Sequence, residues 1–170
     1  LAALAREGGH ECSIIDAEID RINQDELVNK VVEENPDLVA VTGMSPFFHL
    51  TKKFSTALKN KRPDFKILLG GQHLTIQREE AFHECFDYAY CGECENQFIP
   101  LLECIEKNKP LDKIKGLYYR DDSHKILYTG ENTYIRDLNS LPFPARDLLP
   151  QHKYKLGTLE GRKNFTSILT

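Results

Sequence analysis

Between residues 11 and 108 the chain alternates short runs of β-branched and aliphatic residues with stretches whose apolar positions recur at helical spacing. That alternation constrains the fold more than any other feature. A strand that leads into a helix and then into another strand returns to the sheet in parallel, so the pattern specifies βαβ units and an α/β fold. Glu11 to Ile15 is expected to be a first strand. Gln24 to Glu34 places Leu27, Val28, Val31 and Val32 on one helical face, and Asn35-Pro36 ends it. Asp37 to Thr42 is almost wholly apolar, as a central strand covered on both faces must be.

The alternation continues with a helix over Thr51 to Lys59, a turn at Arg62-Pro63-Asp64, and a buried strand over Lys66 to Leu69 closed by Gly70-Gly71. A helix is predicted from Ile76 to Glu84, a short strand from Asp87 to Tyr90, and a helix from Glu95 to Lys107 that ends at Asn108-Lys-Pro110. Gly116 to Arg120 and Lys125 to Thr129, joined by Asp121-Asp-Ser-His124, form a β-hairpin pattern. Leu138 to Pro150, with three prolines, predicts an extended linker, and Asn164 to Thr170 opens a further β-type run.

Composition narrows the class. A chain of 170 residues supports one domain with a real core and a short appendage. No run of eighteen apolar residues is present, so no membrane span is expected. A net charge of −4 without a basic stripe argues against nucleic acid as a partner. Five cysteines, an odd number scattered through strands and helices, argue against a disulfide framework and for a reducing, cytoplasmic setting. Leu1-Ala-Ala-Leu-Ala-Arg6 lacks a basic start and is expected to be the back half of an amphipathic helix that stops at Gly8-Gly9.

In an open parallel sheet, ligands bind beyond the carboxyl ends of the strands. Three predicted strand ends carry glycine-containing loops: Thr42-Gly-Met-Ser-Pro46, Gly70-Gly-Gln-His-Leu-Thr75 and Cys91-Gly-Glu-Cys-Glu95. Side by side on one edge, they would make a shared groove where a ligand can approach bare backbone. None is a Gly-x-x-x-x-Gly-Lys-Ser/Thr phosphate loop or a complete Gly-x-Gly-x-x-Gly, which removes the main support for phosphotransfer or hydride transfer.

The ordered loops resemble the cobalamin-binding domain that precedes the barrel in many radical S-adenosylmethionine enzymes. Gly8-Gly-His-Glu and Ile14-Ile-Asp-Ala17 resemble that family's "GHEVEIIDA" opening, and Asn35-Pro-Asp-Leu-Val-Ala-Val-Thr42 its "PDLVGIS" strand. Gly70 to Thr75 resembles its "GGPHAT" loop, Gly92-Glu-Cys-Glu95 its "GEGE" turn, and Leu141-Pro-Phe-Pro-Ala-Arg-Asp-Leu148 its "LPFPARDLL" linker. The resemblance covers nearly the whole chain and is of the anaerobic magnesium-protoporphyrin monomethyl ester cyclase type, with similar cobalamin-dependent methyltransferases.

The resemblance implies a Rossmann-like, flavodoxin-like parallel sheet with helices on both faces, whose first strand lies ahead of Leu1 and is missing. It implies a cobalamin-binding domain over residues 1–112, a hairpin appendage over 113–136, and over 137–170 a linker and the start of a radical S-adenosylmethionine barrel. Cobalamin would then touch Thr42, Met44 and Ser45, then Gly70, Gly71, Gln72, His73 and Thr75, and finally Gly92 and Glu93. The partner would be the barrel of the same parent chain, with S-adenosylmethionine and a [4Fe-4S] cluster held there by cysteines beyond Thr170. Such a domain positions cobalamin for methyl transfer or oxidative cyclisation and has no catalytic or metal-ligating residue of its own.

The chain also departs from the classical cobalamin carriers. Their Asp-x-His-x-x-Gly loop is absent, so no histidine is expected to ligate cobalt from below, and His49 and His73 are at most contacts to corrin amides. Cys94 stands where the family usually has glycine. Cys91-Gly-Glu-Cys94, if it opened a helix, could act as a redox pair through its dipole. A flavodoxin-like regulatory or degenerate module that binds no cobalamin is the other alternative. A receiver domain is disfavoured because its acidic cluster and late lysine are not evident.

Overall fold

A computed structural model describes residues 1–154; the expected β-type run at 164–170 lies outside the described residues. Five strands form one sheet: β1 (Leu38–Thr42), β2 (Lys66–Gly70), β3 (Tyr88–Tyr90), β4 (Leu117–Arg120) and β5 (Ile126–Tyr128). They lie in that spatial order. β1, β2 and β3 are parallel, with Thr42 opposite Gly70 and Leu69 opposite Ala89. β4 and β5 continue the sheet antiparallel from β3, so the predicted hairpin is part of the sheet.

Side-chain alternation along the strands builds two cores. On one face Val39, Ile67, Leu69 and Ala89 pack under α3 (Gln24–Glu34), α4 (Phe48–Lys61) and α5 (Gln72–Gln77), which supply Val28, Val31, Leu58 and Leu74. On the other, Leu68, Tyr90 and Leu117 pack under α1 (Ala2–Glu7) and α6 (Phe98–Glu106) through Ala5, Phe98 and Leu101. The remaining helix, α2 (Ala17–Asp20), is a single turn capped by the Asp16 carboxylate, which accepts from Ile19 N–H. α3 begins with a reciprocal cap in which Asn23 accepts from Glu26 N–H and Glu26 accepts from Asn23 N–H.

The structure corrects several sequence expectations. Glu11 to Ile15 pairs with nothing and is an irregular extended segment. Its two half-buried residues, Cys12 and Ile15, join opposite cores. β1 is therefore an edge strand among the described residues, with Ala40 and Thr42 exposed, and not the central strand its apolar run suggested. α5 starts four residues earlier than predicted and stops at Gln77. Arg78, at φ 56° and ψ −130°, breaks it, and a 3₁₀ turn over Arg78–Ala81 follows. α6 starts at Phe98, three residues late, after a turn in which Gln97 N–H bonds to Cys94 C=O (2.9 Å). The segment after Leu138 holds three single 3₁₀ turns and folds back: Asp147 pairs with Arg6 (2.7 Å), Lys153 with Asp20 (2.7 Å), and the Tyr154 hydroxyl donates to Asp16 (2.7 Å).

A charged clamp joins α4 to the strand entries. Asp87, just before β3, accepts from Ile67 N–H (2.7 Å) and pairs with Lys59 (2.7 Å), whose ammonium also donates to Phe65 C=O (2.6 Å). Both side chains are half-buried. Asp87→Ala strands the Ile67 amide and the Lys59 charge, and is expected to cost about 2 kcal/mol. Urea unfolding of the two proteins checks this; an unchanged midpoint would contradict the clamp.

Candidate functional site

The carboxyl ends of β1, β2 and β3 present the three glycine loops on adjacent strands of one edge. Two backbone hydrogen bonds lock the first loop to the second: Gly43 N–H to Gly70 C=O (2.8 Å) and His73 N–H to Gly43 C=O (2.9 Å). They bring the backbones so close that a Cβ on Gly71 would lie 2.7 Å from Thr42 Oγ1 and 2.8 Å from Gly43 C=O. Gly71 also sits at φ 98°, a conformation that L side chains rarely adopt. Thr75 then ties the second loop to the third, its hydroxyl accepting from Gly92 N–H (3.1 Å).

Above this frame the backbone is bare. A Cβ added to Gly70 or Gly92 would meet nothing within 4 Å. Around the opening, Thr42, Met44, Ser45, Gln72, Thr75 and Glu93 are exposed. Apolar side chains crowd the same edge, with Met44 50% exposed, Phe47 58% and Ile76 67%. A cluster of exposed apolar groups beside bare backbone is the signature of a surface that takes a large, partly apolar ligand.

His73 is held on two sides. Its Nδ1 shares a 3.1 Å hydrogen bond with Ser45 Oγ, and its ring stacks on buried Phe48 with centroids 3.9 Å apart. The other ring nitrogen makes no hydrogen bond among the described residues. His49 lies on α4, in a groove with Gln24 and Lys53 between α3 and α4, and does not join the three loops.

Cys91 and Cys94 are both buried, and Cys91 donates to Leu74 C=O (3.7 Å). Burial pushes the Cys91 thiol up, and pushes the Cys94 thiol far above its ordinary range. α6 begins only at Phe98, so its amino end does not bear on either sulfur. The helix-activated redox pair is therefore not built here.

One wall escaped the sequence analysis. Residues after β5 cross the third loop: Asn132 donates to Glu93 C=O (2.6 Å) and to Asn96 Oδ1 (3.3 Å). Arg78 reaches the Tyr128 hydroxyl (3.3 Å) and Glu131 (3.2 Å). These partners lie 36 to 53 residues apart, and no local pattern announces them. Beneath the loop the Tyr90 hydroxyl, Glu95 Oε2 and Asn132 Oδ1 are buried without a partner.

The B12 binding domain family model matches residues 1–102. Among curated proteins, the chain is similar to an uncharacterized methyltransferase of Pyrococcus horikoshii, 28% identical over 157 residues that make up 91% of this chain and 34% of the relative. It is also similar to the anaerobic magnesium-protoporphyrin IX monomethyl ester cyclase of Cereibacter sphaeroides, 27% identical over 144 residues, 82% of this chain and 23% of that protein. The chain thus spans about a third or less of the length of these relatives. Among solved structures, the radical S-adenosylmethionine methyltransferase TsrM from Kitasatospora setae superposes with a TM-score of 0.65 at 17% identity, over 76% of this chain and 26% of that one. The cobalamin-dependent S-adenosylmethionine radical enzyme OxsB does so with a TM-score of 0.60 at 17% identity, over 71% and 17%. These superpositions establish the Rossmann-like fold.

Gly71→Ala should lower stability by about 2–3 kcal/mol, through left-handed backbone strain and the clash with Thr42 and Gly43. A melt identical to the parent protein would disprove so close an approach. Cys91 and Cys94 should alkylate with iodoacetamide at neutral pH more slowly than half-buried Cys12 and Cys104, and equally fast once urea is added. Peptide mapping reads the order.

Proposed function

Because the chain belongs to the B12-binding domain family, with cobalamin as its cofactor, we propose that the three strand-end loops are the surface on which the corrin rests. The observation that carries this reading is the pair of bare positions, Gly70 and Gly92, each opening on free space within loops fixed to one another by hydrogen bonds. A flat, bulky macrocycle needs backbone that it can approach without meeting a Cβ, and a frame that does not have to be ordered on binding.

The residues around that opening fit the group. Met44, Phe47 and Ile76 offer apolar contact to the ring system, while Ser45, Gln72, His73 and Thr75 offer hydrogen bonds to its amide-bearing rim. Ser45 and Phe48 fix the His73 ring beside the opening. Gly71 keeps the first two loops together, Gly92 and Glu93 close the third side, and Asn132 braces Glu93 from behind. Bound cobalamin supplies a cobalt centre able to carry a methyl group or accept an electron. The family assignment weighs against the cofactor-free flavodoxin-like reading.

The parent activity follows as a proposal. The likeness to a methyltransferase and to a magnesium-protoporphyrin ester cyclase supports a role in positioning cobalamin for methyl transfer or oxidative cyclisation. A radical S-adenosylmethionine barrel reached through residues 137–170 would hold S-adenosylmethionine and a [4Fe-4S] cluster, with 1–112 and the 113–136 hairpin forming the platform. Five free cysteines are in keeping with a reducing, cytoplasmic setting. Among the described residues no helix is long and apolar enough to cross a membrane.

Gly70→Val makes the decisive variant, because Gly70 has ordinary strand backbone and an added Cβ meets no protein atom within 4 Å. The variant should fold as the parent does, yet retain cobalamin at least about tenfold more weakly. Visible absorption and cobalt content after reconstitution and gel filtration measure the difference. Equal retention by the two proteins would remove the corrin from this edge.

A further inference from the structure

On the α4 face of the sheet, beside the segment that leads into β3, the structure has a groove of about 740 Å³. Its walls are α4, the segment before β3, and the hairpin between β4 and β5. The chain as a whole carries a net charge of −4, yet this groove gathers Lys52, Lys59, Arg120, His83 and His124 against one lining carboxylate, Glu84. α4 itself carries four lysines and no acidic residue.

Not all of that charge is spent within the fold. Lys59 is neutralised by Asp87. The Asp121 carboxylate is engaged by the Ser123 hydroxyl (2.6 Å) and by the Lys125 amide (3.0 Å). Lys52 has no ion-pair partner among the described residues, and neither does Arg120. Arg120 is also immobilised without being neutralised. Its two terminal nitrogens donate to Phe86 C=O (2.9 Å) and Phe82 C=O (3.0 Å), and its guanidinium lies 4.2 Å over the Phe82 ring. A fixed, uncompensated guanidinium with donors to spare is a preorganised receptor for an oxyanion.

We infer that this groove is an anion site for a small phosphate-bearing ligand, with Arg120 as its fixed donor and Lys52, His83 and His124 closing around the phosphate. Concavity favours a small ligand over an extended polyanion, since the hairpin tip walls the groove off on one side. Partial burial, and then the charge of Lys52, holds the His83 imidazole below its ordinary range. An entering anion offsets that charge and makes His83 a second donor. The groove shares no lining residue with the three loops, although His83 and His73 lie on either side of Phe48, with ring centroids 5.9 Å and 3.9 Å from it.

The test is a titration of the whole protein, with and without cobalamin, by inorganic pyrophosphate at constant ionic strength, following the histidine ring signals by NMR. The expected result is a saturable shift of the His83 and His124 signals at millimolar pyrophosphate or below, with His10 and His152 unmoved. Lys52→Gln, at a position whose side chain makes no hydrogen bond or ion pair among the described residues, should weaken binding roughly threefold. Shifts that are absent, unsaturable, or unaltered in Lys52→Gln would overturn the assignment. A short duplex DNA that displaces pyrophosphate and binds more tightly would overturn the small-ligand reading.

Discussion

Two backbone hydrogen bonds, from Gly43 to Gly70 and from His73 back to Gly43, hold the site together. They join loops from neighbouring parallel strands at the point where sheet pairing ends, so the sheet continues, in effect, one step into the loops. Thr42 and Gly70 are already paired in register below them. Everything above inherits this order: the Ser45 hydroxyl meets His73, Phe48 stacks beneath it, and Thr75 is positioned to receive Gly92. The arrangement's most stringent steric condition is the absence of a side chain at residue 71.

The strands that formed as expected share one property: local pattern and tertiary demand agree. Leu38–Thr42, Lys66–Gly70 and the hairpin are short apolar or alternating runs with a neighbour to pair with, so periodicity alone located them. Glu11 to Ile15 had strand propensity and no partner, and tertiary context decided against it. Helix boundaries were less readable, because they depend on single residues: positive φ at Arg78 ends α5 early, and a turn closed by Gln97 N–H on Cys94 C=O precedes α6.

The site divides in the same way. Loop glycines after strands are visible in a sequence because sheet topology fixes where they go, and the three loops do meet on one edge. Asn132, Thr133, Arg78 and Glu131 were invisible, since each matters only through a distant partner. The cysteine pair was legible as a motif and misleading as chemistry. Spacing said nothing about the burial that makes both sulfurs poor thiolates.

The returning segment after Leu138 is fastened differently from the rest of the domain. The sheet and its helices are held by two apolar cores, whereas this segment is tied to α1 and α2 largely through charged groups near the surface, Asp147 on Arg6 and Lys153 on Asp20, beside the Tyr154 hydroxyl on Asp16. Exposed ion pairs weaken as the Debye length contracts to about 3 Å in molar salt, while apolar burial does not. Ionic strength is therefore a dial that acts on these two ion pairs and leaves the apolar platform alone, so that in concentrated sodium chloride residues 138–154 rest on their half-buried side chains and on the Tyr154 hydroxyl at Asp16.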